Sequence, residues 1–312
     1  MSDEIVTSAP PAPPSRARRI IAFPLTLMLL AILVFVAGSV IATILIHQLP
    51  PHPNSPGLIG NAAIVILCLL AVLWPFFRYV EREPTGLFDR RGWARELLAG
   101  SAGGALIFSI IVATSAALGN YHVTGGSGLE TIWEPIAGWA LIPGFTEELF
   151  FRGILFRYIE KAAGSWIALA LTAAAFGAVH LGNPGATWFS SVCIAIEAGI
   201  LLGAVYMLTR RLWAAMGLHA AWNFTQGWIF GLPVSGTTGG IGLLNGRLTG
   251  PELMTGGAFG LEASLPALII ATAAGILILI LAIRRGRVVP PMWARKADHP
   301  SIAALSEPSG ST

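Results

Sequence analysis

Six polar side chains lie inside apolar stretches of the sequence that otherwise suit a lipid environment. Such groups are costly in hydrocarbon and indicate a functional site by default. Together they offer carboxylates that accept a proton from water, imidazoles, and an amide that donates a hydrogen bond to a developing oxyanion. This combination is typical of hydrolysis of an acyl bond. The residues are Glu147, Glu148 and Arg152 in the first stretch, His180 in the second, and His219 with Asn223 in the third.

The three charged residues of the first stretch divide into two roles. Glu148 and Arg152 are four residues apart with the acid first, which is the favourable order for an ion pair along a helix. Glu147 is rotated by about 100° from Glu148 around the helix axis, so it projects toward a different neighbour. A desolvated carboxylate in that position is a candidate base for water. The alternative is a buried ion pair that joins helices, with a spare carboxylate beside it.

The histidines and the asparagine have structural as well as functional interpretations. His180 follows Phe176 by four residues, so both lie on one helix face, and a lone histidine there also fits a satisfied core residue. His219 and Asn223 likewise share a face. They suit an oxyanion site, but polar pairs of this kind also join helices by hydrogen bonds in lipid.

The elements that position these groups are predicted to be membrane-spanning helices. Of the 312 residues, 54% are hydrophobic and only 11% are charged, whereas a soluble domain is about 25% charged. A span needs about 20 mostly apolar residues. The sequence therefore predicts an all-α, polytopic integral membrane protein, a bundle of about eight helices with a polar catalytic cavity inside the membrane. The predicted spans are 20–46, 58–78, 96–118, 134–158, 164–182, 187–209, 211–229 and 264–284.

The distribution of basic residues predicts the orientation. Nearly all Lys and Arg lie before the first span, after the last one, and in every second loop between them. Positive charge marks the cytoplasmic side, so we expect both termini in the cytoplasm and the protein in the inner or plasma membrane of the cell. The scatter of the basic residues between apolar runs argues against a nucleic-acid-binding patch. We predict three parts: a disordered tail at 1–19, the membrane domain at 20–287 and a second disordered tail at 288–312.

Three motifs in chain order resemble the CPBP family of intramembrane endopeptidases. This family contains the CAAX prenyl endopeptidases and the Abi proteins, which process bacteriocins or confer immunity to them. The motifs are Glu-Glu-x-x-x-Arg at 147–152, Phe-x-x-x-His at 176–180 and His-x-x-x-Asn at 219–223. Each stands in a separate apolar span, and the similarity covers roughly residues 132–228.

The resemblance implies an eight-helix membrane enzyme that hydrolyses peptide bonds of a membrane-associated protein or peptide. Carried over by position, Glu147 and His180 activate the attacking water. His219 and Asn223 stabilise the tetrahedral intermediate, and the Glu–Arg pair of the first motif shapes the site and balances its charge. The partners implied are the substrate polypeptide and the lipid bilayer. The motifs do not determine whether that substrate is prenylated.

The resemblance leaves the cofactor open between two interpretations. Glu147, His180 and His219 would hold Zn²⁺ with one coordination position free, as in catalytic zinc sites. The sequence has no His-Glu-x-x-His helix, the compact signature of many zinc proteases. We therefore favour a water activated by glutamate without a cofactor.

Two other classes of function fit the same residues. A non-catalytic membrane scaffold, such as an immunity-type partner, would keep its effect without Glu147. A proton-coupled transporter would use Glu147, Glu197 and His180 as a relay. The position of Glu197 within the sixth span fits either a hydrogen bond to the site or a contact with another helix. The loop at 230–263 fits either a lid that dips into the membrane or an irregular extracytoplasmic connection.

Overall fold

The computed structural model describes residues 16–82, 85–237, 239 and 242–295, and most of them are helical. Two three-residue strands, β1 Tyr121–Val123 and β2 Gly246–Leu248, pair antiparallel with Tyr121 opposite Leu248. The α-helices are α1 Arg16–Ile21, α2 Pro24–His47, α3 Gly57–Pro75, α4 Trp93–Ala117, α5 Ile142–Glu148, α6 Arg157–Val179, α7 Trp188–Ile194, α8 Ile200–Thr209, α9 Trp213–Phe224, α10 Glu252–Thr255 and α11 Leu265–Arg284.

Wider and tighter helical turns extend or join several of these helices. π-Helical turns often occur at functional sites, and here they adjoin the helices that carry the polar residues. The π-helical segments are Phe76–Glu81, Pro135–Leu141, Leu149–Phe156, Ala195–Gly199 and Thr225–Ile229. The 3₁₀ turns are Leu129–Thr131, His180–Gly182, Leu261–Ala263 and Met292–Ala294.

Helices occupy every predicted span, and the all-α, polytopic membrane architecture is confirmed. In the described part of the chain, 6 helical runs are long and apolar enough to cross a bilayer. One of them, Pro135–Gly182, has 48 residues and covers both the fourth and the fifth predicted span. The seventh predicted span is formed by α9 and the π turn after it, which have 12 and 5 residues and are together shorter than the other runs.

A single glycine divides the longest run into two helices. Gly164 has φ 83° and ψ 168°, a left-handed conformation that interrupts α6. Residues with a Cβ rarely adopt this φ, and here a Cβ would also lie 2.8 Å from the carbonyl oxygen of Val289. The break therefore depends on glycine both for its backbone angles and for the chain packed against it. It lies at the first residue of the fifth predicted span, 164–182.

Apolar residues cover the outside of the bundle as well as its core. Large side chains such as Leu33 on α2 and Leu277 on α11 are exposed on the helix surfaces. A surface of this kind fits hydrocarbon and not water. Inside, α4 packs along α9, α8 along α11, and α2 along α3. The polar residues of the three motifs lie within this packed interior and are mostly shielded from lipid.

A buried ion-pair cluster joins α3 to the beginning of α6. Glu81, at the end of the π turn after α3, accepts hydrogen bonds from Arg157, from Tyr158 Oη at 2.9 Å and from Lys161 Nζ at 2.7 Å. Arg157 also forms a two-point ion pair with the same carboxylate. Several charge-assisted hydrogen bonds to this carboxylate offset the free-energy cost of removing it from water.

Part of the predicted C-terminal tail packs on the membrane domain. The backbone N–H of Ser165 donates to the Val289 carbonyl at 2.9 Å, and Val289 N–H donates to Ser165 Oγ at 2.8 Å. Arg295 donates to the carbonyls of Glu160 and Lys161. The described chain therefore continues to contact the bundle beyond the predicted boundary at 287. The remainder of this tail, and residues 1–15 of the N-terminal one, lie outside the described residues.

Candidate active site

Glu148 and Arg152 form the ion pair expected from their spacing. Arg152 Nη1 donates to Glu148 Oε1 at 2.8 Å, and both side chains are almost completely buried. Arg152 Nη2 lies 3.3 Å from the carbonyls of Ala198 and Gly199, and the guanidinium stands 4.8 Å from the ring centroid of Phe176. The arginine therefore connects the helix of the first motif to the α6 and α8 regions.

His219 is anchored by the same carboxylate. Its Nδ1–H donates to Glu148 Oε1 at 2.9 Å, so Glu148 connects Arg152 to His219. Its other nitrogen, Nε2, lies 4.0 Å from Glu147 Oε2. Since Nδ1 carries the proton shared with Glu148, Nε2 is an acceptor in the neutral ring and a donor only in the imidazolium. The sequence did not reveal this link between the first and third motifs.

Glu147 lacks the protein contacts that fix Glu148. Its side chain is 32% exposed, whereas that of Glu148 is fully buried. Its Oε2 atom is nevertheless buried and has no hydrogen-bond partner among the described residues. Close packing brings it beside His219, because a Cβ on Gly144 would lie 2.9 Å from the Cβ of Ala220. Glu147 thus has a carboxylate oxygen without a hydrogen-bond partner among the described residues, next to an imidazole whose orientation is fixed by Glu148.

His180 and Asn223 each donate one side-chain hydrogen bond to a backbone carbonyl and retain further polar groups that could contact a ligand. His180 directly follows α6 and begins a 3₁₀ turn, and its Nδ1–H donates to the Phe176 carbonyl at 2.6 Å, which leaves Nε2 as an acceptor. Asn223 Nδ2 donates to the Trp139 carbonyl at 2.9 Å. An amide nitrogen carries two protons, so this bond leaves Asn223 with a second donor. Both side chains are more than nine-tenths buried.

Three of the predicted residues share one small cavity. His180, His219 and Asn223 line it, and Phe176 and Trp222 provide aromatic walls. The space open to the centre of a water molecule is about 30 Å³; one water needs about 10–15 Å³ by this measure. Glu147 lies outside this cavity and reaches the cluster through His219.

Two cavity residues were missed by sequence reasoning. Ser235 and Glu262 line the same space, and both belong to the loop whose role was open. Glu262 is 2% exposed and accepts a hydrogen bond from the backbone N–H of Ser235. Burial raises the pKa of Glu262 to about 7. The available sequence signal was a lone glutamate between the apolar neighbours Leu261 and Ala263, directly before the last span.

The three side chains considered as zinc ligands do not fit a metal as they stand. In the part of the chain that the structure describes, no three His, Cys, Asp or Glu residues are arranged as a metal-binding group. His219 uses Nδ1 on Glu148 and His180 uses Nδ1 on a backbone carbonyl, which leaves Nε2 of each ring as the atom that would face a metal, so the misfit lies with the third ligand. Glu147 lies outside the cavity that the two imidazoles line. No reaction step is therefore derived through a metal.

Fold and site together define an all-helical integral membrane protein with a buried polar cluster built from several helices. Residues 129–225 match the family model described as type II CAAX prenyl endopeptidase Rce1-like. The match spans about a third of the chain, includes all three motifs and confirms the resemblance to the CPBP family of CAAX-type endopeptidases. It indicates a peptide hydrolase. Neither the curated proteins nor the solved structures compared with the chain give a match.

Proposed function

We propose that the protein is an intramembrane endopeptidase that hydrolyses peptide bonds of a membrane-associated protein or peptide. The observation that carries this proposal is the arrangement of the two adjacent glutamates around His219. Glu148 anchors Nδ1 of the ring at 2.9 Å, while Glu147 keeps an unpartnered oxygen 4.0 Å from Nε2. A merely structural ion pair requires only Glu148 and Arg152. Glu147 is available for chemistry.

Water activation is assigned to Glu147 with His180. Glu147 is partly exposed, so water has access to its side chain, and its buried Oε2 has no hydrogen-bond partner among the described residues that would fix the carboxylate. As the water oxygen bonds to the scissile carbonyl carbon, one water proton passes to the Glu147 carboxylate. His180 keeps Nε2 as an acceptor, because its Nδ1 donates to the Phe176 carbonyl. We assign this atom to the same water, which requires the Glu147 side chain to turn toward the cavity that His180 lines. The products of this step are a tetrahedral oxyanion and protonated Glu147.

Oxyanion stabilisation is assigned to His219 and Asn223. His219 donates through Nε2 in its imidazolium form, while Glu148 accepts the Nδ1 proton and fixes the orientation of the ring. Asn223 contributes the amide proton that its bond to Trp139 leaves available. Both donors are buried, and a preorganised donor acts more strongly in such a low-dielectric site than in water. Arg152 balances the charge of Glu148 and keeps that carboxylate in place.

The orientation is part of the proposal. Both termini are placed in the cytoplasm, in the plasma or inner membrane, because basic residues concentrate in the connections on one side. The substrate is a polypeptide held at the membrane, with or without a prenyl group. Neither the scaffold nor the transporter hypothesis requires the held imidazole between two carboxylates, so the protease is preferred.

The test compares wild type with Glu147→Gln, which keeps the shape of the side chain and removes its basicity. New protein termini in membranes from cells expressing each form are mapped by mass spectrometry. In parallel, purified enzyme is given fluorogenic CAAX peptides with and without a farnesyl group. We expect termini that depend on Glu147, and a loss of cleavage rate of about 10²–10⁴-fold, the usual contribution of general acid–base catalysis.

The matched control is Glu134→Gln. Glu134 is exposed and directly precedes the π-helical segment that leads into α5. The Glu134→Gln variant is expected to cleave the same substrates at the wild-type rate. Equal cleavage by folded Glu147→Gln protein would contradict the assignment of the base. Identical termini in all three samples, with no peptide cleaved, would favour the scaffold hypothesis.

A further inference from the structure

The described residues of the segment 230–263 pack into the bundle and bring a carboxyl group to the site. Phe259, Leu261 and Ala263 are each at most 1% exposed, so the end of the segment is part of the core. Hydrogen bonds also connect the beginning of the segment to the bundle. The Gln226 side chain donates to the Pro233 carbonyl, and the Asn183 side chain donates to the Ser235 carbonyl at 2.9 Å. The segment therefore covers the part of the bundle next to His180.

Glu262 occupies a defined position in this cover. One of its carboxyl oxygens accepts the Ser235 N–H, and the side chains of Trp222 and Gln226 lie within hydrogen-bonding reach. Trp222 and Gln226 flank Asn223 along the same helical run. Glu262 also lines the cavity shared by His180, His219 and Asn223. Glu262 therefore reaches the proposed reaction space from a segment that follows the family-matched residues 129–225 in the sequence.

A second buried carboxyl lies near Glu262. Glu197 is 0% exposed, and neither of its oxygens has a hydrogen-bond partner among the described residues. The two carboxyls are close enough to repel each other when both are charged. The other titratable groups at the cavity are the two imidazoles, His180 and His219. Burial already raises the pKa of Glu262 to about 7, so near neutral pH this group is a carboxylic acid in a substantial fraction of molecules.

We propose that Glu262 is a further catalytic residue of this site, a carboxylic acid that protonates the leaving amine of the cleaved peptide. The inference rests on the proposed endopeptidase function and adds a group outside the matched residues 129–225. Ser235, through its N–H, holds the carboxyl in place.

In the proposed reaction every proton is accounted for by one base, Glu147, and one acid, Glu262. Glu147 takes a proton from water as the hydroxyl oxygen bonds to the carbonyl carbon. When the carbon–nitrogen bond breaks, its electron pair stays on nitrogen, which takes the Glu262 proton, and the oxyanion becomes a carbonyl again. The products are a carboxylic acid and an amine, with Glu262 as carboxylate and Glu147 protonated. Transfer of the Glu147 proton to Glu262 through water restores the starting state.

The decisive variant is Glu262→Gln in the full-length protein. Glutamine retains an oxygen that accepts the Ser235 N–H, so it preserves the fold contact while removing the transferable proton. The substrates are the farnesylated and unmodified fluorogenic CAAX peptides. We expect kcat to fall by about 10²–10⁴-fold with a smaller change in KM. The control, Glu252→Gln, changes an exposed glutamate of the same segment and is expected to retain wild-type kcat.

The pH profile provides a measurement that does not depend on the variant. Since the protonated form of Glu262 is the active one, wild-type kcat is expected to fall as pH rises through about 7. Residual kcat of Glu262→Gln is expected to lack the decline near pH 7 that Glu262 causes, and to keep only the decline caused by loss of the His219 imidazolium. Infrared difference spectra between low and high pH should also show a protonated carboxyl band in wild type that Glu262→Gln lacks.

The outcomes separate this inference from the proposed function. Cleavage by wild type together with wild-type kcat in Glu262→Gln overturns the role of Glu262 and leaves the endopeptidase intact. A wild-type kcat that does not decline at alkaline pH overturns it as well, even if the variant does not fold. Absence of cleavage by wild type on both peptides and in membranes overturns the proposed function, and this inference with it.

Discussion

A double-mutant cycle on Glu148 and Arg152 tests whether their buried ion pair organises the site. The variants are Glu148→Gln, Arg152→Met and the combination of both. Arg152→Met leaves a fully buried carboxylate with His219 Nδ1 as its remaining donor among the described residues. Glu148→Gln leaves the guanidinium with the carbonyls of Ala198 and Gly199 at 3.3 Å, and these carry no full charge.

The expected magnitudes follow from this burial. Removal of one partner of a buried ion pair costs about 3–5 kcal/mol, because the other charge remains without compensation. The double variant removes both charges, so its loss of stability should be smaller than the sum of the two single losses. The coupling energy should lie near the upper end of the usual range of about 0.5–3 kcal/mol. At 2.8 Å and nearly zero exposure, little of this interaction is screened by solvent.

The assay is denaturant or SDS titration in mixed micelles, followed by the fluorescence of the 10 tryptophans. A second cycle on Glu96 and Arg211 is the matched control. This ion pair also joins two helical regions, but its side chains are 18% and 15% exposed. Because solvent screens exposed pairs, its coupling should be about 1 kcal/mol or less.

Additive losses in the Glu148–Arg152 cycle would refute the reasoning. Equal coupling energies in the two cycles would also refute it, because burial would then have no effect on the strength of the pair. A loss of activity without a loss of stability in Arg152→Met would show that the arginine acts on chemistry and not on the position of Glu148.

Two further predictions concern the oxyanion site and the cofactor. Asn223→Ala removes an oxyanion donor, so kcat of the peptide assay should fall by about 10²–10³-fold while KM changes little; a change confined to KM would contradict this role. Protein treated with a chelator and shown by elemental analysis to be metal-free should keep full activity, because Glu147, His180 and His219 are not arranged as a ligand set. Loss of activity on stripping and recovery on addition of Zn²⁺ would contradict the metal-free mechanism.

The sequence was informative where function depends on local geometry. Spacing of four residues within one helix is sufficient to bring Glu148 and Arg152 together, because such residues lie on the same face. Length and apolarity likewise predicted the spans, since the bilayer restricts backbone structure to a few forms. The long helical run breaks at Gly164, the first residue of the fifth predicted span, whose backbone conformation favours glycine.

The sequence was not informative where function depends on the packing of distant elements. The bond from His219 to Glu148 joins α9 to α5 and requires the close approach of those helices at Gly144. No periodicity encodes such a contact between helices. Glu262 was missed for a different reason: it lies in a loop whose path has no repeating pattern, so its burial is visible only in three dimensions.

The adjacent glutamates illustrate why neighbouring residues in a membrane helix can have opposite environments. A rotation of about 100° separates them, and this turns Glu148 into the bundle and Glu147 toward a partly open region. Glu148 is held by a cation and an imidazole, so it is poorly suited to accept a proton from water. Glu147 has a buried oxygen without a partner beside that same imidazole. Glu148 therefore balances the charge of Arg152 and orients His219, which leaves its neighbour Glu147 available for the proposed role of base.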